Sequence, residues 1–505
     1  MTTIGKRSEV GFSTGPTAVP RYSELLIDGK WQPSRSLKRF EDRDPASGEV
    51  LASVAAADTD DVDRAVQAAS EAFRREGWRN ADPGYRGRAL LALASRMRAA
   101  REELALLEAR DVGKFLSDAR LEVDLAASLV EYYGGAADKV GGETYQAGQG
   151  KLAYTLREPL GPVAAIVPWN YPLPLAVLKL APALAMGNTV VLKPAEEAPL
   201  STMLLGQLAL EAGIPPGVVN VLPGSGEVAG AHLVRHPEIA MIAFTGSTEV
   251  GKEILHVAAD RIARVELELG GKSPQIIFSD ADLDAATVGV GVGLFKNAGQ
   301  DCCAGSRILI HADVYDEMVD RLLVLARSQR LGDPFVRGTT MGPLISVRQR
   351  ERVQSYVESA RQAGASPLVG GTLACDVEAR DVRRFFEPTF LAHVTPDMKI
   401  FQEEVFGPIG TLTVFTTESE AVEIANQSKY GLAAAVWTKD LATALRVTAQ
   451  IQAGMVWVNE YYAHVMAMPF GGYKQSGLGK DYSLHALDSY SQLKEVAIRF
   501  AKDAA

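Results

Sequence analysis

Cysteine is scarce in this sequence. Three in 505 residues make no disulfide framework, and usage this sparse fits a reducing compartment. Basic residues are outnumbered: 52 Lys and Arg against 62 Asp and Glu leave a formal net charge of −10. A face that neutralises phosphates on nucleic acid or an acidic membrane is therefore not expected. Long apolar runs are missing too. The most apolar region, Gly161 to Leu192, is broken by Asn170, Lys179 and five prolines, whereas a membrane span takes about 20 mostly apolar residues in a row. The amino-terminal MTTIGKRSEVGFSTG has two basic residues but no apolar run after them, few arginines and an early Glu9. That fits neither a secretory signal nor a transit peptide. The seven histidines are scattered and no CxxC pair occurs, so no zinc site is expected. A cytoplasmic protein that binds neither membrane nor nucleic acid is the expectation.

What is present is the composition of a globular protein, 47% hydrophobic and 23% charged, in a chain too long for one ordinary core. Residues 1–20, rich in Gly, Ser, Thr and Pro, read as a flexible arm. In DTDDVDRAVQAASEAFR, Val62, Ala65, Val66, Ala69 and Phe73 recur at helical spacing behind an acidic start that can cap a helix. A second helix is expected over Arg86 to Glu108. From about residue 160, β-branched runs alternate with helical stretches: VAAIV, TVVLKP, VVNVLP and MIAFTG, then, after Gly270–Gly271, PQIIF, SRILIH, TLTVF, AAAVW and MVWVN. Such alternation implies parallel sheets covered by helices, with ligands at the carboxyl ends of the strands. The fold class is α/β, with two α/β domains in tandem. Leu484 to Val496 reads as either a strand or a helix docking on a partner subunit.

Several motifs fall at those strand ends. FTGSTEVGKE places Gly246 and Ser247 where a strand turns into a helix, a setting that suits an anion. Gly246 to Lys252 also spells the start of a P-loop, but Glu253 stands where Ser or Thr must hold magnesium, and that reading fails. Lys193 and Glu196 of VLKPAEEAP can hold sugar hydroxyls, and a carboxylate there disfavours a 2′-phosphate, which argues for NAD over NADP. The GSGEVAG run is read as a turn. In PWNYP, two prolines bracket Asn170, whose fixed amide suits an oxyanion. In VELEL, alternation puts Glu266 and Glu268 on one face, and Glu268 at the strand's end suits a general base.

NAGQDCCAGSR holds Cys302 and Cys303 side by side. Adjacent Cα atoms lie about 3.8 Å apart, below the usual disulfide range. Buried filler and a nucleophile with a bystander both remain open on these residues alone.

Taken together, PWNYP, KPAE, FTGS, ELGGKSP, GQDCCAGSR, EEVFGP and PFGGYKQSG resemble the NAD(P)-dependent aldehyde dehydrogenase superfamily, over about Leu26 to Val496. The resemblance implies a Rossmann-like cofactor domain, a catalytic domain and a small β oligomerisation element. The expected boundaries are 21–140 with 159–270, 271–480, and 141–158 with 481–505. It implies Cys302 as nucleophile, Asn170 with the Cys302 backbone N–H as oxyanion donors, and Glu268 as base. Lys193 and Glu196 would contact the adenosine ribose and Ser247 the pyrophosphate. Glu404 and Phe406 would hold the nicotinamide ribose and ring, and Trp169 would line the cofactor cleft. The implied reaction turns an aldehyde into a carboxylic acid through a thioester, in a homodimer or homotetramer.

Matching also implies a substrate lining of Tyr171, Leu175, Leu178, Asp301, Cys303, Tyr461, Tyr462, His464 and Phe470. The wording of KDYSLHALDSYSQLKEV resembles the aminoaldehyde-oxidising branch, and Asp301 and Asp124 could receive a cationic tail. An apolar funnel for aliphatic or aromatic aldehydes is the alternative. Asp481 replaces the family's commoner Glu in SGLGKD, which puts a proton-relay role there in doubt.

Overall fold

A computed structural model describes residues 22–374, 377, 379 and 381–500. The amino-terminal arm and Cys375 lie outside the described residues. Two large sheets carry the fold. In the first, Val219–Val221, Thr189–Lys193, Pro162–Ile166, Met241–Thr245 and Arg264–Glu268 lie side by side and parallel. The chain starts at Pro162–Ile166, winds outward to one side, then returns to add Met241–Thr245 on the other. That reversal opens a crevice beyond the carboxyl ends of the two adjacent strands. Val167 to Asn170 leave one strand there, and Gly246–Ser247 leave the other.

The runs VAAI and MIAFT are buried along their whole length. Helices on both faces leave no solvent side, which is why these strands read as continuous apolar stretches.

The second sheet is ordered Ser366–Val369, Thr389–Ala392, Ile409–Phe415, Arg307–His311, Pro274–Ile277, Ala433–Trp437 and Met455–Val458, parallel except at its first strand. A third sheet pairs Lys151–Pro159 with Ser491–Arg499 and with Thr144–Tyr145. The ambiguous last stretch is thus both things in turn, a short helix at Ala486–Ser489 and then a long strand.

The helix over Thr59–Arg74 begins with a reciprocal capping box between Asp58 and Asp61. The stretch expected as one helix over Arg86 to Glu108 is two, Pro83–Ala99 and Arg101–Val112, broken where Ala100 takes ψ 16. The bend turns the second helix so that its acids cap others. Asp111 accepts from the Leu200 N–H at 2.8 Å and Glu108 from the Leu173 N–H at 3.2 Å.

One segment crosses between the sheets. Gly477–Leu478, expected with the second domain, pairs instead with Leu267 and Glu268 on the first sheet. It covers the open edge of the strand that carries Glu268, an edge that would otherwise leave backbone groups unpaired. Among the described residues no helix is long and apolar enough to cross a membrane.

Candidate active site

The loop that holds the cysteine pair follows the helix Leu283–Phe295 and is built on three consecutive left-handed residues, Asn297 (φ 49), Ala298 (φ 53) and Gly299 (φ 72). Such backbone persists only where its surroundings over-determine it. Here the Asn297 amide donates to the carbonyls of Asn170 and Gln300, both at 3.3 Å. The Gln300 side chain donates to the Asn297 carbonyl at 3.0 Å and accepts from the Ile345 N–H at 2.8 Å. A Cβ at Gly299 would stand 2.3 Å from the Gly407 carbonyl.

The loop treats its two thiols differently. Cys302 is half-buried and Cys303 is buried. Their sulfurs lie 3.9 Å apart, far beyond a bond length of about 2.05 Å. The hydrogen bond shared with Cys302, together with burial, pushes the Cys303 thiol well above its usual range. Of the pair, only Cys302 can meet a ligand. Asp301 braces the turn, accepting from the Cys303 N–H at 2.7 Å and from the Tyr171 hydroxyl at 2.8 Å. Tyr461 donates to the Cys303 carbonyl at 2.6 Å.

Asn170 is buried, and one proton of its amide goes to the Gln300 carbonyl at 3.1 Å. An amide carries two such protons, so one is left. Its own backbone carbonyl is held by the Lys114 ammonium at 2.9 Å. Lys114 in turn binds Glu122 at 2.6 Å and lies 4.4 Å from the centre of the Tyr171 ring. The flanking prolines therefore share the work of fixing Asn170 with a buried ion pair between Glu122, on the helix Leu116–Ala136, and Lys114, in the link before it. Sequence reasoning missed Lys114 and Glu122, because nothing in their local wording marks them.

Glu268 closes its strand, and neither carboxylate oxygen has a hydrogen-bond partner among the described residues. Behind it lies a buried cluster. Lys179 reaches both oxygens of Glu266, at 2.9 and 2.8 Å, and Asp481 at 2.7 Å. The expected shared face of Glu266 and Glu268 is there, but it is fully buried. Burial first, then Asp481 and Glu266, push Glu268 well above the usual carboxylate range. Burial also raises Glu266 to about 7. Three carboxylates face one ammonium, and a buried surplus of negative charge is relieved by binding protons.

At the crevice, the helix Thr248–Ala259 starts at Ser247, whose hydroxyl accepts from the Val250 N–H at 3.3 Å. The helix start leaves amide N–H groups pointing outward. A Cβ at Gly246 would lie 2.4 Å from the Phe244 ring, so glycine is required there. Lys193 is buried and sits 3.7 Å from the half-buried Glu196. Next to them is a cleft of about 470 Å³ lined by Glu196, Glu197, Ser225, Val228, Ile345 and Ser346 among others. GSGEVAG, read as a turn, is a single π-helical turn capped by Ser225. It reaches the cleft through Ser225 and Val228. Trp169 and Phe406 meet edge to face at 5.3 Å, with Phe406 at φ 61. Glu404 accepts from the Gly271 N–H at 2.9 Å, and burial pushes it up to about 7. An anion-binding helix start, a Lys/Glu pair, an aromatic edge and a cleft of this size fit a dinucleotide.

Most of the remaining expected residues belong to one cluster of rings. Trp457 and Tyr461 lie 4.8 Å apart, Tyr461 and Tyr462 4.9 Å, and His464 and Phe470 5.8 Å, while Tyr482 lies parallel to His464 at 6.3 Å. Trp457 and Tyr482 were not foreseen. Leu178 is buried in the core and Leu175 half-buried against it. Asp124 does not belong here: Arg101 grips both its oxygens, each at 2.7 Å.

Comparison with known proteins agrees with this geometry. The aldehyde dehydrogenase family matches residues 31–496. An aldehyde dehydrogenase of Aspergillus niger is 44% identical over 477 residues, 94% of this chain and 95% of that protein. Aldehyde dehydrogenase 1A1 of Gallus gallus is 44% identical over 483 residues, 95% of this chain and 94% of that one. Two solved structures contain NAD+. An aldehyde dehydrogenase of Bacillus cereus superposes with a TM-score of 0.92 at 42% identity, covering 95% of this chain and 96% of that one. A betaine aldehyde dehydrogenase of Staphylococcus aureus superposes with a TM-score of 0.93 at 38% identity, covering 95% of each. The chain belongs to the aldehyde dehydrogenase family.

Proposed function

We propose that this NAD-dependent oxidoreductase carries out its reaction through Cys302 and finishes it with water. The Cys302 thiolate attacks the aldehyde carbon. The carbonyl oxygen gains a negative charge, which the spare Asn170 N–H and the Cys302 backbone N–H stabilise without reorganising. NAD, when bound beside Trp169 and Phe406, supplies the hydride acceptor. Glu268 then takes a proton from water, the resulting hydroxide attacks the thioester carbon, and the thiolate leaves as the carboxylic acid departs. Lys193 and Glu196 hold the adenosine ribose, Ser247 and the helix start hold the pyrophosphate, and Glu404 holds the nicotinamide ribose.

The observation that carries this reading is a half-buried thiol beside a buried one, on a loop hydrogen-bonded to the fixed Asn170 amide and within electrostatic reach of the unpartnered Glu268 carboxylate. NADH release from an aldehyde panel tests it. Cys302→Ala is expected to abolish turnover and Cys303→Ala to keep much of it. A dead Cys303→Ala beside a live Cys302→Ala would overturn the assignment.

For the substrate, the structure favours an aldehyde with an apolar or aromatic body. The aminoaldehyde reading called for a carboxylate at the mouth, yet Asp301 has both oxygens engaged and Asp124 is paired elsewhere. Its remaining supports are the ring cluster, since ring faces attract cations, and the likeness to a betaine aldehyde dehydrogenase. Assembly into a dimer or tetramer is proposed through the third sheet. That sheet leaves Leu152, Leu156 and Ile498 exposed on one face, an apolar patch suited to a second copy of the chain. The sparse cysteines support a cytoplasmic setting.

A further inference from the structure

An exposed ammonium stands at the edge of the ring cluster. Lys296 is exposed and stands directly before the strained turn of Asn297 and Ala298, so its backbone is held in place. Its ammonium lies 5.7 Å from the centre of the Tyr462 ring. Tyr462 is in ring contact with Tyr461, whose hydroxyl binds the Cys303 carbonyl. A chain of contacts thus runs from Lys296 through Tyr462 and Tyr461 to the nucleophile loop. The Lys296 ammonium makes no hydrogen bond or ion pair with any described residue. Burial among the rings pushes the His464 imidazole down; the Asp301 charge opposes that shift, and Lys296 adds to it.

The nearby acids bind other groups, and none of them forms an ion pair with Lys296. Glu122 feels Lys296 but is held by Lys114 at 2.6 Å. Asp301 is held by Tyr171 and the Cys303 amide, and Asp124 by Arg101.

We propose that Lys296 reads the far end of the substrate: an aldehyde whose chain ends in a carboxylate docks that group on the Lys296 ammonium while its carbonyl meets Cys302. A single ammonium is a compact point charge that can pair with one carboxylate. The proposal rests on the catalytic reading above and names its substrate class.

The test compares kcat/KM for ω-carboxyaldehydes with that for n-alkanals of the same length, in the parent, Lys296→Met and Lys296→Glu. General damage cancels in the ratio. The parent is expected to favour the carboxylate series. The ratio should fall roughly fivefold in Lys296→Met, the scale of one exposed ion pair. It should fall further in Lys296→Glu, and the parent's preference should shrink as salt rises. A ratio that Lys296→Met leaves unchanged, or a parent that prefers ω-aminoaldehydes, overturns the proposal. A second measurement needs no turnover: the rate of Cys302 alkylation by iodoacetate relative to iodoacetamide, followed by mass spectrometry. That ratio should drop in Lys296→Met, and an unmoved ratio also overturns the proposal. NADH from no aldehyde at all sinks the catalytic reading and this one with it. Normal turnover with unmoved ratios sinks this one alone.

Discussion

Tyr171 donates its hydroxyl proton to Asp301 at 2.8 Å, joining the loop that carries Asn170 to the loop that carries Cys302. The other Asp301 oxygen takes the Cys303 N–H at 2.7 Å. The carboxylate that looked available to a substrate is therefore a brace. It sets how the nucleophile's turn faces the amide that must meet the oxyanion, and reaction rates are sensitive to that placement.

Replacing Asp301 tests the brace. Asp301→Ala leaves two buried donors without an acceptor, each costing about 1–3 kcal/mol, and is expected to lower kcat/KM at least tenfold. Asp301→Asn keeps one acceptor oxygen and should lose less. Tyr171→Phe, which removes one donor together with its need for a partner, should lose least. Steady-state kinetics on one aldehyde give the order. Equal losses in Asp301→Ala and Tyr171→Phe would show that the carboxylate does more than accept these two bonds.

Lys114 is the buried counterpart. It binds Glu122 at 2.6 Å, lies 3.9 Å from Glu108 and donates to the Asn170 carbonyl. Lys114→Met strands buried acids, and breaking such a pair costs about 3–5 kcal/mol. Denaturant melts should show a loss of that order. The double variant Lys114→Met/Glu122→Met should recover part of it, because one orphaned charge is gone. A double variant as unstable as the sum of the two singles would refute the pairing.

Both sheets and most of the site elements were legible because their signals are local. Strand runs such as VAAIV and MIAFTG are buried throughout, and burial on both faces writes itself as unbroken apolar sequence. Asn170, Glu268 and Cys302 stand in short motifs. Lys114, Glu122 and Lys179 were illegible for the opposite reason. Each is a charged residue ordinary in its own context, Glu122 and Lys179 on helices and Lys114 in the link between two, and what it binds lies elsewhere in the chain: Asn170 for Lys114, Glu266 and Asp481 for Lys179. The break at Ala100 was hidden as well, since no Gly or Pro marks it.

Glu268→Gln separates the two halves of the reaction. Glutamine keeps the shape but cannot take a proton from water, so acylation should proceed and deacylation stall. Rapid mixing of enzyme, NAD and aldehyde should give a burst of NADH close to one per active site, followed by a steady rate at least a hundredfold lower, the low end of about 10²–10⁴ for a general base. Loss of the burst itself would place Glu268 in the first half instead.

The cluster behind Glu268 sets the pH at which that base works. Burial, Asp481 and Glu266 raise Glu268, while Lys179 lowers it. The base must be ionised, so the deacylation rate should climb as pH rises through the raised value. Glu266→Gln removes one negative neighbour and eases ionisation, so the acid limb of kcat should move to lower pH. Lys179→Met removes the ammonium that favours the ionised form, so the limb should move to higher pH. Opposite displacements from two substitutions in one buried cluster are what an electrostatic role demands; damage to packing would lower kcat across the whole range without moving either limb. Profiles of kcat against pH for the two variants, taken under conditions where deacylation limits turnover, decide between these. Limbs that stay put, or move the same way, would leave Glu268 governed by its burial alone.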